Sequence, residues 1–166
     1  MSGPEAFEDV VSALDYPIFI VTTREDRDEG ALAGCLVGFA SQTSINPPRF
    51  LVGLSKRNRT YRTAQQATHL VVHVLPRAHT ATAELFGGTT GDDTDKFAQC
   101  AWDAGPMGLP ILRDASAWFV GRILERFDVG DHVAHLLEPT DGNASDMSTE
   151  WITFADVRDI EPGHEA

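Results

Sequence analysis

Two hydroxyl-rich stretches stand out for the chemistry they could do. Ser41, Gln42, Thr43 and Ser44 run toward Pro47-Pro48 and read as a polar turn. Ser55, Lys56, Arg57, Asn58, Arg59 and Thr60 sit between an apolar segment and a candidate helix. Hydroxyls, an amide and a lysine at a helix start suit a phosphate or another small anion, because the first N–H groups of a helix are unpaired and its dipole is positive there. The same residues also read as a plain cap, with Asn58 or Thr60 closing the helix and the arginines solvated. His132 is a third candidate. It follows Gly130-Asp131 at a strand start, either as an imidazole facing a ligand or as a turn residue satisfied by Asp131.

Other chemistries lack their residues. His69 and His73 are four apart on a segment that reads as strand, without the glutamate of a helical zinc-protease motif. His132 and His135 have odd spacing, which points them to opposite faces of a strand, so no metal site is expected. Cys35 and Cys100 are far apart and suggest packing residues rather than a disulfide framework, which makes a reducing cytoplasm the expected setting. Gly87, Gly88 and Gly91 are too irregular for a dinucleotide fingerprint or a phosphate loop. No side chain is assigned a covalent or acid–base role.

Charge is sorted along the chain. The formal net charge is -12 over 166 residues, which argues against nucleic-acid and anionic-membrane partners, since both need a basic surface. Residues 30 to 83 nevertheless contain no Asp or Glu, while Arg49, Lys56, Arg57, Arg59, Arg62 and Arg77 all fall there. A local positive field in an acidic body is a device for capturing a small anion, and the expectation is an electropositive groove beside the Pro47 turn. At the N-terminus Glu5, Glu8 and Asp9 stand where a secretory signal would carry Lys or Arg, so no export is expected.

The elements that must position these residues read as one mainly β domain over 1–166, with a core at 11–138 and a tail at 139–166. Ser2 and Glu5 have capping-box spacing before a helix at 4–14. Six apolar segments read as strands: 17–23, 31–40, 49–55, 69–75, 117–125 and 131–138. Helices are predicted at 60–67, 78–86 and 94–102, and turns at 25–30 and 87–93. Several connections are too short for parallel crossovers, so an antiparallel barrel with peripheral helices is expected. The tail should hold a loop and one last strand around Trp151 to Phe154. Ala31, Ala33, Gly34, Cys35, Gly38 and Ala40 are unusually small for a strand. They would let backbone approach a flat ligand, or mark a bulge or tight corner.

Taken in order, several short runs resemble the flavin reductase-like family. They are Ala33-Gly34-Cys35, Ser41-Gln42-Thr43-Ser44-Ile45-Asn46-Pro47-Pro48, Phe50 to Ser55, Thr60-Tyr61, Asp95-Lys96-Phe97, Gly108 to Leu112 and Gly130-Asp131-His132. The resemblance spans roughly residues 11 to 138. It implies an antiparallel split β-barrel, the FMN-binding split barrel, usually a homodimer, that holds FMN or FAD and reduces it with NADH or NADPH. It implies flavin contacts at Ser41, Gln42, Thr43 and Ser44, a phosphate or adenylate end at Ser55, Lys56, Asn58 and Thr60, and a nicotinamide side at His132. It also implies a flavin-dependent monooxygenase as a consumer of the reduced flavin. Where relatives often carry Asn-Gly, Thr and paired Ser, this chain has Ala33-Gly34, Leu36 and Gly38. That departure leaves open a deazaflavin in place of flavin, and a carrier that binds flavin without reducing it.

Overall fold

A computed structural model describes residues 1–88, 95–147 and 150–160. The chain opens with α1 (Gly3–Ala13), whose capping box closes as expected: the Ser2 hydroxyl accepts from the Glu5 N–H and the Glu5 carboxylate accepts from the Ser2 N–H. It continues through β1 (Phe19–Arg24), β2 (Leu32–Val37), β3 (Ala40–Ser44), β4 (Arg49–Ser55), α2 (Arg59–Ala64), β5 (His69–Val74) and α3 (Thr80–Gly88). After these come β6 (Trp102–Ala104), β7 (Pro110–Leu112), β8 (Ala117–Asp128), β9 (His132–Asn143) and α4 (Phe154–Val157).

Seven strands form one antiparallel sheet in the order β2-β1-β5-β8-β9-β4-β3. The two edge strands are consecutive in the chain, and only Gly38 and Phe39 separate them. Three Cα steps reach at most about 11 Å, so the edges must curl toward one another. The sheet therefore rolls into a barrel that stays split beside the β2-β3 corner. The Gly53 N–H donates to the Phe39 carbonyl at 2.7 Å and carries the β3-β4 ladder one residue further into that corner.

Side chains alternate across the strands to fill three clusters, the smallest being Val71, Leu109, Ile111 and Val120. Val21, Cys35, Val52, Leu54, Leu70, Val72 and Leu137 fill the barrel. Ile18, Ile20, Leu75, Phe86, Leu112 and Ile152 pack on its outer face, under α3 and the C-terminal segment. Burial on both faces explains why Phe19 to Val21 of β1 and Leu70 to Val72 of β5 read as unbroken apolar triplets rather than alternating.

Several elements differ from expectation. The strand expected at 31–40 breaks at Gly38, and the Ser41 to Ser44 stretch is edge strand β3 rather than a turn, which instead occupies 45–48. The helix expected at 94–102 is one 3-10 turn over Lys96–Ala98 followed by β6, because Phe97 and Trp102 pack edge to face and the Trp102 indole donates to the Phe97 carbonyl. The short β6-β7 pair has no alternation long enough to be read in sequence. The last strand reduces to two isolated bridges, Pro76 with Trp151 and Pro17 with Thr153. Thr153 and Asp156 then form a capping box that starts α4. The turn expected at 87–93 begins inside α3 and otherwise lies outside the described residues.

Candidate functional site

The split in the barrel is a cavity of about 320 Å³, within the size range of small-molecule sites. One wall is the β2 edge from Cys35 to Phe39, and another is the end of β4 from Gly53 to Ser55. Phe86, Gly87 and Lys96 line a third side, while Tyr16 and the α4 residues Phe154 and Val157 cover a fourth. Tyr16 and Phe154 stack at 4.8 Å, and Arg158 lies over the Phe154 ring at 5.3 Å.

Strand register sets the polar end. Ser55 pairs directly with His132 across β4 and β9, and both line the cavity with Asn58. His132 packs against Phe39 at 4.8 Å, and its Nδ1 lies 2.7 Å from the Asp131 carboxylate. That carboxylate fixes Nδ1–H as the donor and leaves Nε2 for whatever enters. The same hydrogen bond holds the Asp131 carboxyl below the usual carboxylate range. Both readings of His132 thus coexist: Asp131 satisfies one nitrogen while the ring lines the cavity.

The remaining sequence candidates lie elsewhere. The Asn58 side chain caps α2 by accepting from the Thr60 N–H at 2.9 Å. The Thr60 hydroxyl is buried without a hydrogen-bond partner among the described residues. Beside Thr60 and Asn58 lies the Cys35 thiol, which burial pushes up from its ordinary value. Lys56 leaves the cavity wall to pair with Asp128 at 2.8 Å. Gln42, Thr43 and Ser44 line a separate, open hollow with Ile45 and Asn46. The Ser41 hydroxyl donates to the Gln42 carbonyl, and the Gln42 amide donates to the Ser44 carbonyl.

The acid-free segment does not form one cationic groove. Arg49 meets Glu138 at 3.7 Å, Lys56 meets Asp128, and Arg77 meets both Glu150 and Asp156, so these cations are answered by acids from elsewhere in the chain. The cations that line the cavity are Lys96 and Arg158, both outside that segment. Sequence reasoning missed them as site residues, although Lys96 lay in the quoted Asp95-Lys96-Phe97 run. The small residues of β2 also serve packing. A Cβ on Gly34 would meet the Phe86 ring at 2.7 Å, and one on Gly38 the Tyr16 ring at 2.8 Å.

Chemically the cavity offers apolar walls for a flat ring, exposed strand-edge backbone, a hydroxyl and amide at one end, an imidazole at the rim and a buried ammonium. That donor set fits a flavin: the ring system is apolar with polar edges, and its tail needs hydroxyl and cationic partners. Among the described residues no group of three or more His, Cys, Asp or Glu could hold a metal ion.

Comparison with known proteins gives the same direction. The family model for the flavin reductase like domain matches residues 11–158. FMN reductase (NADH) RutF of Bradyrhizobium diazoefficiens is 32% identical over 130 residues, covering 78% of this chain and 70% of that protein. The stachydrine N-demethylase reductase subunit Stc3 of Rhizobium meliloti is 28% identical, covering 78% of this chain and 54% of that one. The solved flavin reductase domain protein from Arthrobacter sp. FB24 superposes with a TM-score of 0.79 at 21% identity, covering 90% of this chain and 89% of that one. The chain spans from 40% to 70% of the length of the curated relatives it matches.

Proposed function

From a chain that belongs to the flavin reductase-like family, we propose an NAD(P)H-dependent flavin oxidoreductase that binds FMN or FAD in the cavity at the barrel split. The observation that carries this is the meeting of Ser55, Asn58 and His132 around an apolar slot of ligand size. The bound flavin would supply the redox chemistry, taking two electrons and a proton from NADH or NADPH. The chain's own work is then to hold and orient. Strand-edge backbone at residues 35 to 39 meets the ring edge, Ser55, Asn58 and the Thr60 turn take the phosphate or adenylate end, with Lys56 joining them once it exchanges Asp128 for the phosphate, and His132 orients the nicotinamide. Ser41, Gln42, Thr43 and Ser44 supply contacts beyond the cavity mouth. Phe154 and Tyr16 shield one side from water.

The name FMN reductase (NADH) of the Bradyrhizobium relative supports FMN with NADH as the pair to try first. The relative named as a reductase subunit of a demethylase supports a partner enzyme as consumer of the reducing equivalents, and a flavin-dependent monooxygenase is the partner we propose. A homodimer is supported by α1, whose Phe7 and Val10, with the C-cap Leu14, are 66%, 59% and 53% exposed along one face. Cys35 and Cys100 are free thiols, in keeping with a reducing cytoplasm. Among the described residues no helix is long and apolar enough to cross a membrane.

The test is titration of the purified protein with FMN and FAD, followed by anaerobic addition of NADH and NADPH while the flavin's visible absorbance is followed. Binding with bleaching is expected. Binding without bleaching selects a flavin carrier or a deazaflavin-linked relative, and no binding of either flavin overturns the reading.

A further inference from the structure

Lys96 is a buried cation whose set of partners is incomplete among the described residues. The residue is 5% exposed, and its Nζ donates to the Gly34 carbonyl at 3.1 Å and the Phe86 carbonyl at 3.0 Å. It also lies 5.5 Å from the centre of the Phe86 ring. An ammonium has three N–H donors, so these two carbonyls leave one without a partner among the described residues. Buried lysines are normally paired with a carboxylate, because two neutral carbonyls do not cancel a full charge in a low-dielectric wall. Among the described residues none of the ion pairs involves Lys96. Its ionisable neighbour is the Cys35 thiol, which burial keeps protonated. Lys96 and Cys35 both line the cavity.

We propose that Lys96 supplies the counter-charge for the reduced flavin, so that the cavity holds the reduced form more tightly than the oxidised form. This rests on the flavin reading above. When the nicotinamide gives up two electrons and one proton and departs oxidised, the cavity contents gain one negative charge. A fixed ammonium already desolvated in the wall meets that charge without reorganisation, which is where preorganised electrostatics act most strongly. At an effective dielectric near 20, opposite unit charges several ångströms apart attract enough to change an equilibrium about tenfold or more. The backbone ties make Lys96 rigid as well: Gly34 belongs to β2 and Phe86 to α3, so the ammonium is held from two elements at once.

The experiment separates charge from scaffolding. Dissociation constants for oxidised and for chemically reduced FMN are measured anaerobically on the unsubstituted protein, on Lys96→Gln, which keeps an amide donor for the carbonyls, and on Lys96→Met. Thermal melting of the ligand-free proteins is recorded alongside. The unsubstituted protein is expected to favour reduced FMN about tenfold. Lys96→Gln should melt near the parent yet lose that preference, moving the bound flavin potential down by about 30 mV, the two-electron equivalent of tenfold. Equal affinity of the unsubstituted protein for the two redox forms overturns the proposal even if neither variant folds. So does a parallel loss for both forms in Lys96→Gln, which would make the lysine a structural tie only. Failure of the unsubstituted protein to bind FMN in either form sinks the flavin reading instead.

Discussion

His73 shows how a side chain that could do chemistry is committed to architecture. It is fully buried on β5, its Nδ1 lies 2.9 Å from the Ile20 carbonyl of β1, and its Nε2 accepts from the Leu112 N–H of β7 at 3.1 Å. Both nitrogens are used, so the neutral tautomer is fixed, and burial pushes its pKa down from 6.5 to about 4. A group whose folded pKa is depressed adds stability that is complete above its unfolded value and fades as pH falls. The protein should therefore lose on the order of 3 kcal/mol between about pH 6.5 and pH 4 through this residue. Urea midpoints across that window check it, and His73→Leu should flatten the dependence while costing about 2 kcal/mol at neutral pH for the unpaired Ile20 carbonyl and Leu112 N–H. His132 is the opposite case, with one nitrogen anchored and one presented to the cavity. If it orients the nicotinamide, His132→Ala should lower kcat/KM for NADH about tenfold, chiefly through KM, and leave FMN affinity within about threefold. Equal losses for both ligands would contradict that division. The sequence could name His132 because a turn motif precedes it, but could not rank His73, whose partners come from strands 53 and 39 residues away.

At the scale of elements, legibility followed the range of the interactions. The capping box of α1 and strand β4 are local patterns, and both lie where periodicity and capping chemistry put them. The C-terminal segment reads as a strand because Trp151, Ile152 and Phe154 offer a short apolar anchor after a polar stretch, while its structure is set by distant partners. The Ile152 N–H bonds to the Leu75 carbonyl at 2.9 Å, the Phe154 N–H to the Tyr16 carbonyl at 2.9 Å, and the Asp15 carboxylate accepts from the Ala155 N–H. This strap closes one wall of the cavity through the Tyr16–Phe154 stack. Phe154→Ala should cost about 2 kcal/mol, less than a fully buried phenylalanine because the ring is half-buried. It should also weaken flavin binding several-fold by admitting water to the slot. Melting curves with and without FMN separate the two effects, since a purely structural loss would shift both curves equally.

The whole molecule turns a charge-sorted sequence into a barrel whose cations and acids meet across elements, which is why the acid-free stretch predicted a groove that its own arginines do not build. What composition could not convey is which surfaces remain uncovered, and α1 is the clearest of them. No residue of this helix is buried, although Phe7, Val10 and Val11, with the C-cap Leu14, recur at the spacing of a single helical stripe. An amphipathic helix owes most of its stability to what its apolar face covers, and eleven residues are marginal on their own. A second copy of the chain is the economical cover, since an isologous contact would bury both helices' stripes by one symmetry operation. Sedimentation should then report a dimer for the parent and a monomer for Phe7→Glu with Val10→Glu, because two carboxylates cannot be buried in that seam without partners. The variant should keep its barrel, read by an unchanged β-type circular dichroism spectrum, while its α-helical signal falls as α1 frays. If the exposed hydroxyls of β3 complete the site only in the dimer, FMN affinity will drop with dissociation. A parent that sediments as a monomer at micromolar concentration would leave the α1 stripe for a different occupant and end the dimer reading.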